Sequence, residues 1–429
     1  MFLFLLSGVW IGFSLFIAGI SGMLLYKINL PPTLSIWTKI GGLIANSVWN
    51  SINSWSLTAL PLFILMGEIL FRTAMSTRLL NGLVPWLTRI PGRLLHINIV
   101  ACSLFAAVSG SSAATTATVG KITLSELSKR GYNRSIAIGS LAGAGTLGFL
   151  IPPSLIMIIY GILSDSSIGK LFIGGVIPGI VLGGMYSLYI MIVAFLKPDI
   201  VPTEQEKYTF KERLIASKEL IPVLGLIFVV LGGIYLGFTT PTEAAAIGVF
   251  GAYILALYFK NLTWENFKNS LLNAVKTTVM ICFIIMGAAF LSQVVGFVGI
   301  ARALSVYIAN LHLSPYVLIF VLGIMYLILG MILDGISIVV MTLPIVLPIV
   351  LQAGFSPLWF GIFLVIMVEL SQITPPVGFS LFVIQGISDE PIGNILKATF
   401  PFFIIMILMV IILTAFPELA LYLPNKMIH

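Results

Sequence analysis

The chain has 429 residues, of which 59% are hydrophobic and only 9% are charged. Soluble domains carry about 25% charged residues, so a soluble globular enzyme, a disordered chain and a nucleic-acid binder are all excluded. The net charge of +7 does not point to a polyanion, because the Lys and Arg residues lie in short loops between apolar runs, as in a multi-pass membrane protein oriented by its loop cations.

The length suffices for about ten crossings at ~20 residues each. The first run, 2–25, has no basic segment ahead of it and stays apolar too long for a signal-peptide core, so it reads as a membrane helix. Further spans are predicted over 53–71, 135–163, 169–196, 220–237, 242–260, 276–298, 357–386 and 392–416. Two other apolar stretches, 94–120 and 314–350, are interrupted in the middle by Gly, Ser, Asp or Pro.

Loop cations set the topology. Arg72, Arg78, Arg89 and Arg93 precede the first interrupted stretch, and Lys121, Lys129, Arg130 and Arg134 follow it. Both flanks therefore belong in the cytoplasm. The stretch between them enters and leaves on one side, as a re-entrant hairpin with its tip at Ser109-Gly110-Ser111-Ser112. Non-helical backbone at membrane depth survives only inside protein or beside a wet cavity, which already indicates a channel or transporter. Counting onward, the loop Lys197 to Lys218 is cytoplasmic, and the second hairpin opens to the outside with only Arg302 nearby. The N-terminus falls inside and the C-terminus outside. Residues 76–93 and 301–312 read as amphipathic arms along the interface.

The chain repeats itself. Ile151-Pro152-Pro153-Ser154 and Ser164-Asp165 recur as Thr374-Pro375-Pro376-Val377 and Ser388-Asp389, at offsets of 223 and 224, which bring the first hairpin tip close to Asp334-Gly335-Ile336-Ser337. With one hairpin inside and the other outside, the repeat is inverted, the plan of many secondary transporters. Each Pro pair breaks a membrane helix by removing an amide donor and blocking the preceding turn. The freed carbonyls, with Ser and Thr hydroxyls, are hard oxygen ligands for an alkali cation. Half-helix N-termini suit an anionic substrate. Two breaks facing two hairpins make two pseudo-symmetric cation sites.

Asp334 and Glu369 are acids in apolar context, where a carboxylate is costly and usually functional; they are candidates for ion binding or for holding a hairpin tip. Ser111, Thr115 and Thr116 are candidates to meet the substrate. Glu243, Asp165 and Asp389 read as caps. Cys102 and Cys282 lie in apolar runs, so no disulfide framework is expected, and His96, His312 and His429 show no metal-ligand spacing. No Ser–His pair or His motif suggests an intramembrane enzyme. Trp37, Trp49, Trp55, Trp86 and Trp264 fall near predicted span ends, as interfacial anchors do.

Four motifs in order, Ser109-Gly110-Ser111-Ser112-Ala113, Gly148 with Ile151-Pro152-Pro153-Ser154, Pro241-Thr242-Glu243-Ala244-Ala245-Ala246, and Ile373-Thr374-Pro375-Pro376-Val377-Gly378, resemble the large membrane subunit of TRAP (tripartite ATP-independent periplasmic) transporters across essentially the whole chain. The resemblance implies an all-α integral membrane protein of the bacterial inner membrane that is not an enzyme and has no cofactor beyond Na+ as coupling ion. It implies a separate four-helix small membrane subunit and a periplasmic substrate-binding protein as partners, and lipid around the spans. The cargo would be a carboxylate-bearing anion such as a C4-dicarboxylate or a sialic acid. A stand-alone sodium-coupled anion transporter is the alternative.

The resemblance also implies an elevator mechanism. Residues 1–71 and 220–298 would be scaffold helices, 72–93 and 299–313 arms, and 197–219 a cytoplasmic linker. Residues 94–196, with the inner hairpin 94–120, and 314–416, with the outer hairpin 314–350, would be the two transport halves, ahead of a tail at 417–429. Carried over by motif position, a first sodium site falls on Ser109, Ser112, Gly148, Ile151 and Pro153. A second falls on Gly330, Ser371, Thr374 and Val377, with Ser371 standing where the resemblance leads us to expect glycine.

Overall fold

The computed structural model describes residues 4–5, 7–26, 35–73, 75–202, 208–300, 303–304, 306, 314–375 and 378–427. All regular structure among them is helical. The first part comprises α1 (Ile11–Leu25), α2 (Ile36–Ile52), α3 (Ala59–Phe71), α4 (Met75–Leu87), α5 (Ile97–Ser109), α6 (Ser112–Lys129), α7 (Arg134–Gly145), α8 (Leu155–Leu163) and α9 (Ile168–Leu196). There follow α10 (Phe210–Ser217), α11 (Ile221–Tyr235), α12 (Pro241–Tyr258), α13 (Trp264–Val298), α14 (Pro315–Gly330), α15 (Gly335–Gln352), α16 (Pro357–Gln372), α17 (Phe379–Ser388), α18 (Ile392–Ala415) and the short α19 (Glu418–Leu421). Among the described residues five helices are long and apolar enough to cross a membrane, or up to seven if α2 with α3 and α10 with α11 each count as one bent span.

Helix packing follows a crosswise scheme. Helix α1 lies on α13, while α3 lies on α12 and α13. Small residues let these helices approach: the Phe283 and Phe290 rings occupy the space that side chains on Gly12 and Gly19 would fill. In lipid, where apolar burial drives nothing, such close backbone packing carries helix association. In the middle, α5 and α6 form one hairpin and α14 and α15 the other. The second arm α6 packs on α17, and the second arm α15 packs on α8.

The start of each interrupted helix is tied to the end of the other. Arg134 at the head of α7 pairs with Glu390 at 2.9 Å and donates to the Ser388 carbonyl. The Tyr160 hydroxyl on α8 donates to the Pro357 carbonyl at the head of α16, at 2.5 Å. Between them α16 is buried on every side from Trp359 to Gln372, as a helix apolar all round must be.

The arm α4 is clamped to the α10–α11 corner. Arg78 pairs with Glu219 at 2.7 Å and stacks over the Phe259 ring, and the Trp86 indole donates to Ser217 at 2.9 Å.

Several boundaries differ from the apolar runs. The inner hairpin does not end at 120: α6 continues to Lys129 because Lys121, Glu126 and Lys129 end the apolar run without ending the helix, and Glu126 pairs with Arg130 at 2.6 Å. Helix α13 begins at Trp264 rather than 276, capped by the Thr263 hydroxyl accepting from the Asn266 amide at 3.1 Å. Helix α2 is absent from the predicted spans, since Gly41, Gly42, Asn46 and Asn50 dilute its hydropathy. The span predicted as 53–71 instead turns through a short 3-10 helix, Trp55–Thr58, bending by 57° from α2. The run predicted as one helix over 2–25 is broken: helical residues 4–5 give way to a turn in which Gly8 takes φ 82°, and α1 starts at Ile11. The linker 197–219 contains the helix α10, whose Thr209–Glu212 capping box satisfies its first amides. Most of the arm 301–312 lies outside the described residues.

A β-carbon on Gly139 of α7 would strike the Ala398 carbonyl of α18, whereas one on Gly386 of α17 meets open space. Gly139→Ala should therefore lower stability by about 1–3 kcal/mol, the usual cost of overpacking. Gly386→Ala should raise it by about 0.5–1 kcal/mol by removing a flexible helical residue. Thermal unfolding of the purified protein reads both.

Candidate functional site

The first break runs from Thr146 to Ser154, and the first hairpin tip closes over it. Helix α5 ends at Ser109, Gly110 turns in the left-handed region with φ 61°, and Ser111 caps α6, accepting from the Ala114 amide at 3.5 Å. The Gly110 carbonyl accepts from the Leu155 amide at 3.3 Å. A side chain at residue 110 would run into the Pro153 carbonyl, and one on Gly148 into the Ser112 backbone. Only glycine permits these two approaches. Within the tip, the Ser109 and Thr115 hydroxyls share a hydrogen bond of 2.7 Å. Among the described residues, none donates to the carbonyls of Gly148, Ile151 or Pro153, so these oxygens are free for a cation.

The second break begins at Ile373. The Thr374 amide and hydroxyl turn back onto the carbonyls of Ser371, at 3.1 Å, and Leu370, at 2.7 Å. Gly330, the last residue of α14, lies against Ser371 so closely that a β-carbon on it would occupy the Ser371 side chain. Ser371 donates to the Val368 carbonyl at 2.6 Å, which turns its hydroxyl away from the break. Asp334 caps α15: its carboxylate accepts from the amides of Ile336, at 3.1 Å, and Ser337, at 3.3 Å, and from the Ser337 hydroxyl. Both tips converge on the head of α8, since Leu155 bonds Gly110 while Ile156 packs on Gly335.

Glu369 joins the two halves. It is fully buried on α16, yet one carboxylate oxygen accepts from the Ser112 hydroxyl at the first hairpin tip and from the Phe149 amide, at 2.6 Å, in the first break. Its other oxygen has no hydrogen-bond partner among the described residues.

The structure thus brings Ser109, Ser112, Thr115, Gly148 and Pro153 together at one junction, and Gly330, Ser371 and Thr374 at the other. The Ile151 side chain points away from the break onto Gly179, leaving only its carbonyl for a ligand role. Thr116 is buried one turn beyond Ser112, against Gly145, and its hydroxyl is unpartnered among the described residues. Ser111 is partly exposed at the tip. Val377 lies outside the described residues. Sequence reasoning missed Phe149, whose amide is used rather than its side chain, and it missed the Thr146–Tyr186 hydroxyl pair at 3.1 Å beside the break. Glu243 caps α12 in a box with Thr240, and Glu68 pairs with Arg72 at 3.5 Å and Asn273 at 3.3 Å, so neither is bonded to a break residue among the described residues. Among the described residues no cluster of His, Cys, Asp or Glu is arranged to hold a metal ion.

Residues 1–419 match the family described as tripartite ATP-independent periplasmic transporter, DctM component. The chain is 35% identical over 383 residues to the C4-dicarboxylate TRAP transporter large permease protein DctM of Pseudomonas aeruginosa, covering 89% of each. It is 32% identical over 370 residues to the ectoine TRAP transporter large permease protein TeaC of Halomonas elongata, covering 86% of each. Among solved structures it shares its fold with the YdaH transporter of Alcanivorax borkumensis, with a TM-score of 0.70 over 96% of this chain and 98% of that one at 12% identity.

The tight fit of Gly330 on Ser371 makes a paired prediction. Gly330→Ala should fail to assemble the second junction and lose transport. Adding Ser371→Gly should restore it, because the colliding side chain is gone. Growth or uptake assays on the single and double variants read the rescue.

Proposed function

This chain belongs to the DctM component family of tripartite ATP-independent periplasmic transporters, and from that premise we propose that it is the large membrane subunit of a sodium-coupled importer for a carboxylate-bearing organic anion. The observation that carries the proposal is the pair of tip-on-break junctions. The first presents hydroxyls and carbonyls left without protein donors among the described residues, and the second brings Gly330, Ser371 and Thr374 together. Sodium prefers hard oxygen ligands of this kind, and irregular backbone at membrane depth is kept where it lines an ion or substrate path.

The reading extends to the mechanism. The two halves form an inverted repeat, each with a hairpin and an interrupted helix, and the crosswise packing of α6 on α17 and α15 on α8 supports this. These elements move together as one elevator against a scaffold of α1–α3 and α11–α13, braced by the arm α4. Sodium ions occupy the two junctions and complete the cavity between the tips. The substrate carboxylate meets the half-helix N-termini there, at α6 and α8, with Ser111 and Thr116 as hydroxyl donors. Release of the ions on the inside dissolves the site.

A carboxylate is the chemical feature that C4-dicarboxylates and ectoine have in common, and the more similar of the two relatives is named for the dicarboxylates. We therefore place the cargo first among C4-dicarboxylates and next among larger acids such as sialic acid. The partners are a separate small membrane subunit and a periplasmic binding protein. The complex sits in the bacterial inner membrane, with this subunit's N-terminus inside and its C-terminus outside.

Proteoliposomes holding this chain with its small subunit should take up radiolabelled succinate only with an inward sodium gradient and a loaded binding protein. Uptake without the binding protein would support a stand-alone transporter, and uptake in choline medium would remove sodium as the coupling ion. Ser109→Ala and Thr374→Ala should each raise the half-saturating sodium concentration by about tenfold or more, since one interaction with a charge is worth about 1.5–3 kcal/mol.

A further inference from the structure

Glu369 is a carboxylate inside a wholly buried helix, and among the described residues it forms no ion pair. Removing one charge from water without a partner is costly. Its hydrogen bonds show where compensation comes from. The Ser112 hydroxyl and the Phe149 amide both point to one oxygen. Ser112 is the first residue of the 18-residue α6, so the carboxylate also stands at the positive end of a helix.

These contacts fix the chemistry of Ser112. A serine hydroxyl has a single proton and two lone pairs. With its proton committed to Glu369, Ser112 has only lone pairs left to offer, so its remaining capacity is for a cation and not for an acceptor. Gly148 lies against the same residue, and Phe149 is the next in the chain. A junction of neutral carbonyls and hydroxyls also lacks negative charge for a dehydrated cation. With a cation bound at the junction, an ionised Glu369 supplies one unit of it, since a nearby opposite charge favours the charged form.

We propose that Glu369 is the positioning residue of the first cation site: it orients Ser112 and the 148–149 backbone toward the ion, neutralises part of the ion's charge, and couples this site to the second one through Ser371, two residues further along the same helix. The inference rests on the sodium-coupled reading above and deepens it. Its source is a residue of the second half, 257 positions from Ser112, so the ion site of one half is completed by the other. Occupancy at either junction then acts on the same turn of α16, and the two ions bind cooperatively.

The test reads sodium-dependent thermal stabilisation of the full-length chain purified in detergent, with choline as the reference ion. Glu369→Gln keeps the shape and an acceptor oxygen but removes the charge. It should raise the sodium midpoint by about 10–100-fold, the usual cost of losing an outer partner of a metal ligand, and lower the Hill coefficient toward one. Glu369→Asp keeps the charge but withdraws it from Ser112 and Phe149, and it should fall between the two. Combining Glu369→Gln with Ser112→Ala should cost no more than the worse single change, as expected when one residue acts through the other.

A merely structural Glu369 would lower the melting temperature equally with and without sodium and leave the midpoint in place. That result overturns the inference while leaving sodium coupling intact. If Glu369→Gln does not fold, Glu369→Asp decides, and an unchanged midpoint there also overturns it. A wild-type protein insensitive to sodium in both stabilisation and uptake overturns the coupled-transport reading and this inference with it.

Discussion

A helix interrupted within a membrane exposes amides and carbonyls that lipid cannot satisfy, and every such group left bare costs several kcal/mol. The architecture is organised around this constraint. Each break is covered by protein: Gly110 takes the Leu155 amide, Glu369 takes the Phe149 amide, and Thr374 turns back onto Ser371. What protein leaves open at the first break is a set of carbonyl oxygens. The amides of residues 146–151 are satisfied and acceptors are left over, which is the asymmetry a cation site needs.

The covering pieces are hairpin tips, and their fit depends on missing side chains. Gly148 admits the Ser112 backbone, Gly110 admits the Pro153 carbonyl, and Gly330 admits Ser371. At the second junction position 371 is serine. The serine is accommodated because its hydroxyl folds back to the Val368 carbonyl, and because the partner position, 330, is itself glycine. The pair therefore holds one side chain in total, and the contact stays close.

The crosswise ties give the central elements their unity. Arg134 holds the end of α17, Tyr160 holds the head of α16, and α16 is enclosed by both sets. An ion pair and a hydroxyl bond at the two ends, with close helix packing between, bind the hairpins and interrupted helices to one another. The arm α4 packs on the hairpin helix α5 and is also tied to the α10–α11 corner through Arg78 and Trp86.

Much of this was legible in the sequence. Loop cations and apolar length established a multi-pass helical protein. The Pro pairs and the Ser-Gly-Ser tip located both breaks and the first hairpin, because proline and glycine act locally on the backbone and leave a mark wherever they stand. Glu369 was visible as an acid in an apolar run. Element ends were less legible, as at α2, α6 and α13, where polar residues lie on one helical face and lower the hydropathy without ending the hydrogen-bond ladder. The tertiary structure alone decided which oxygen meets which amide. That Glu369 reaches across 220 residues to the Phe149 backbone, that Asp334 serves its own helix as a cap, and that the Ile151 side chain turns away from the break are outcomes of packing between distant segments. Local chemistry sets where a chain bends and what it offers; only the meeting of the bent pieces determines which of those offers is taken up.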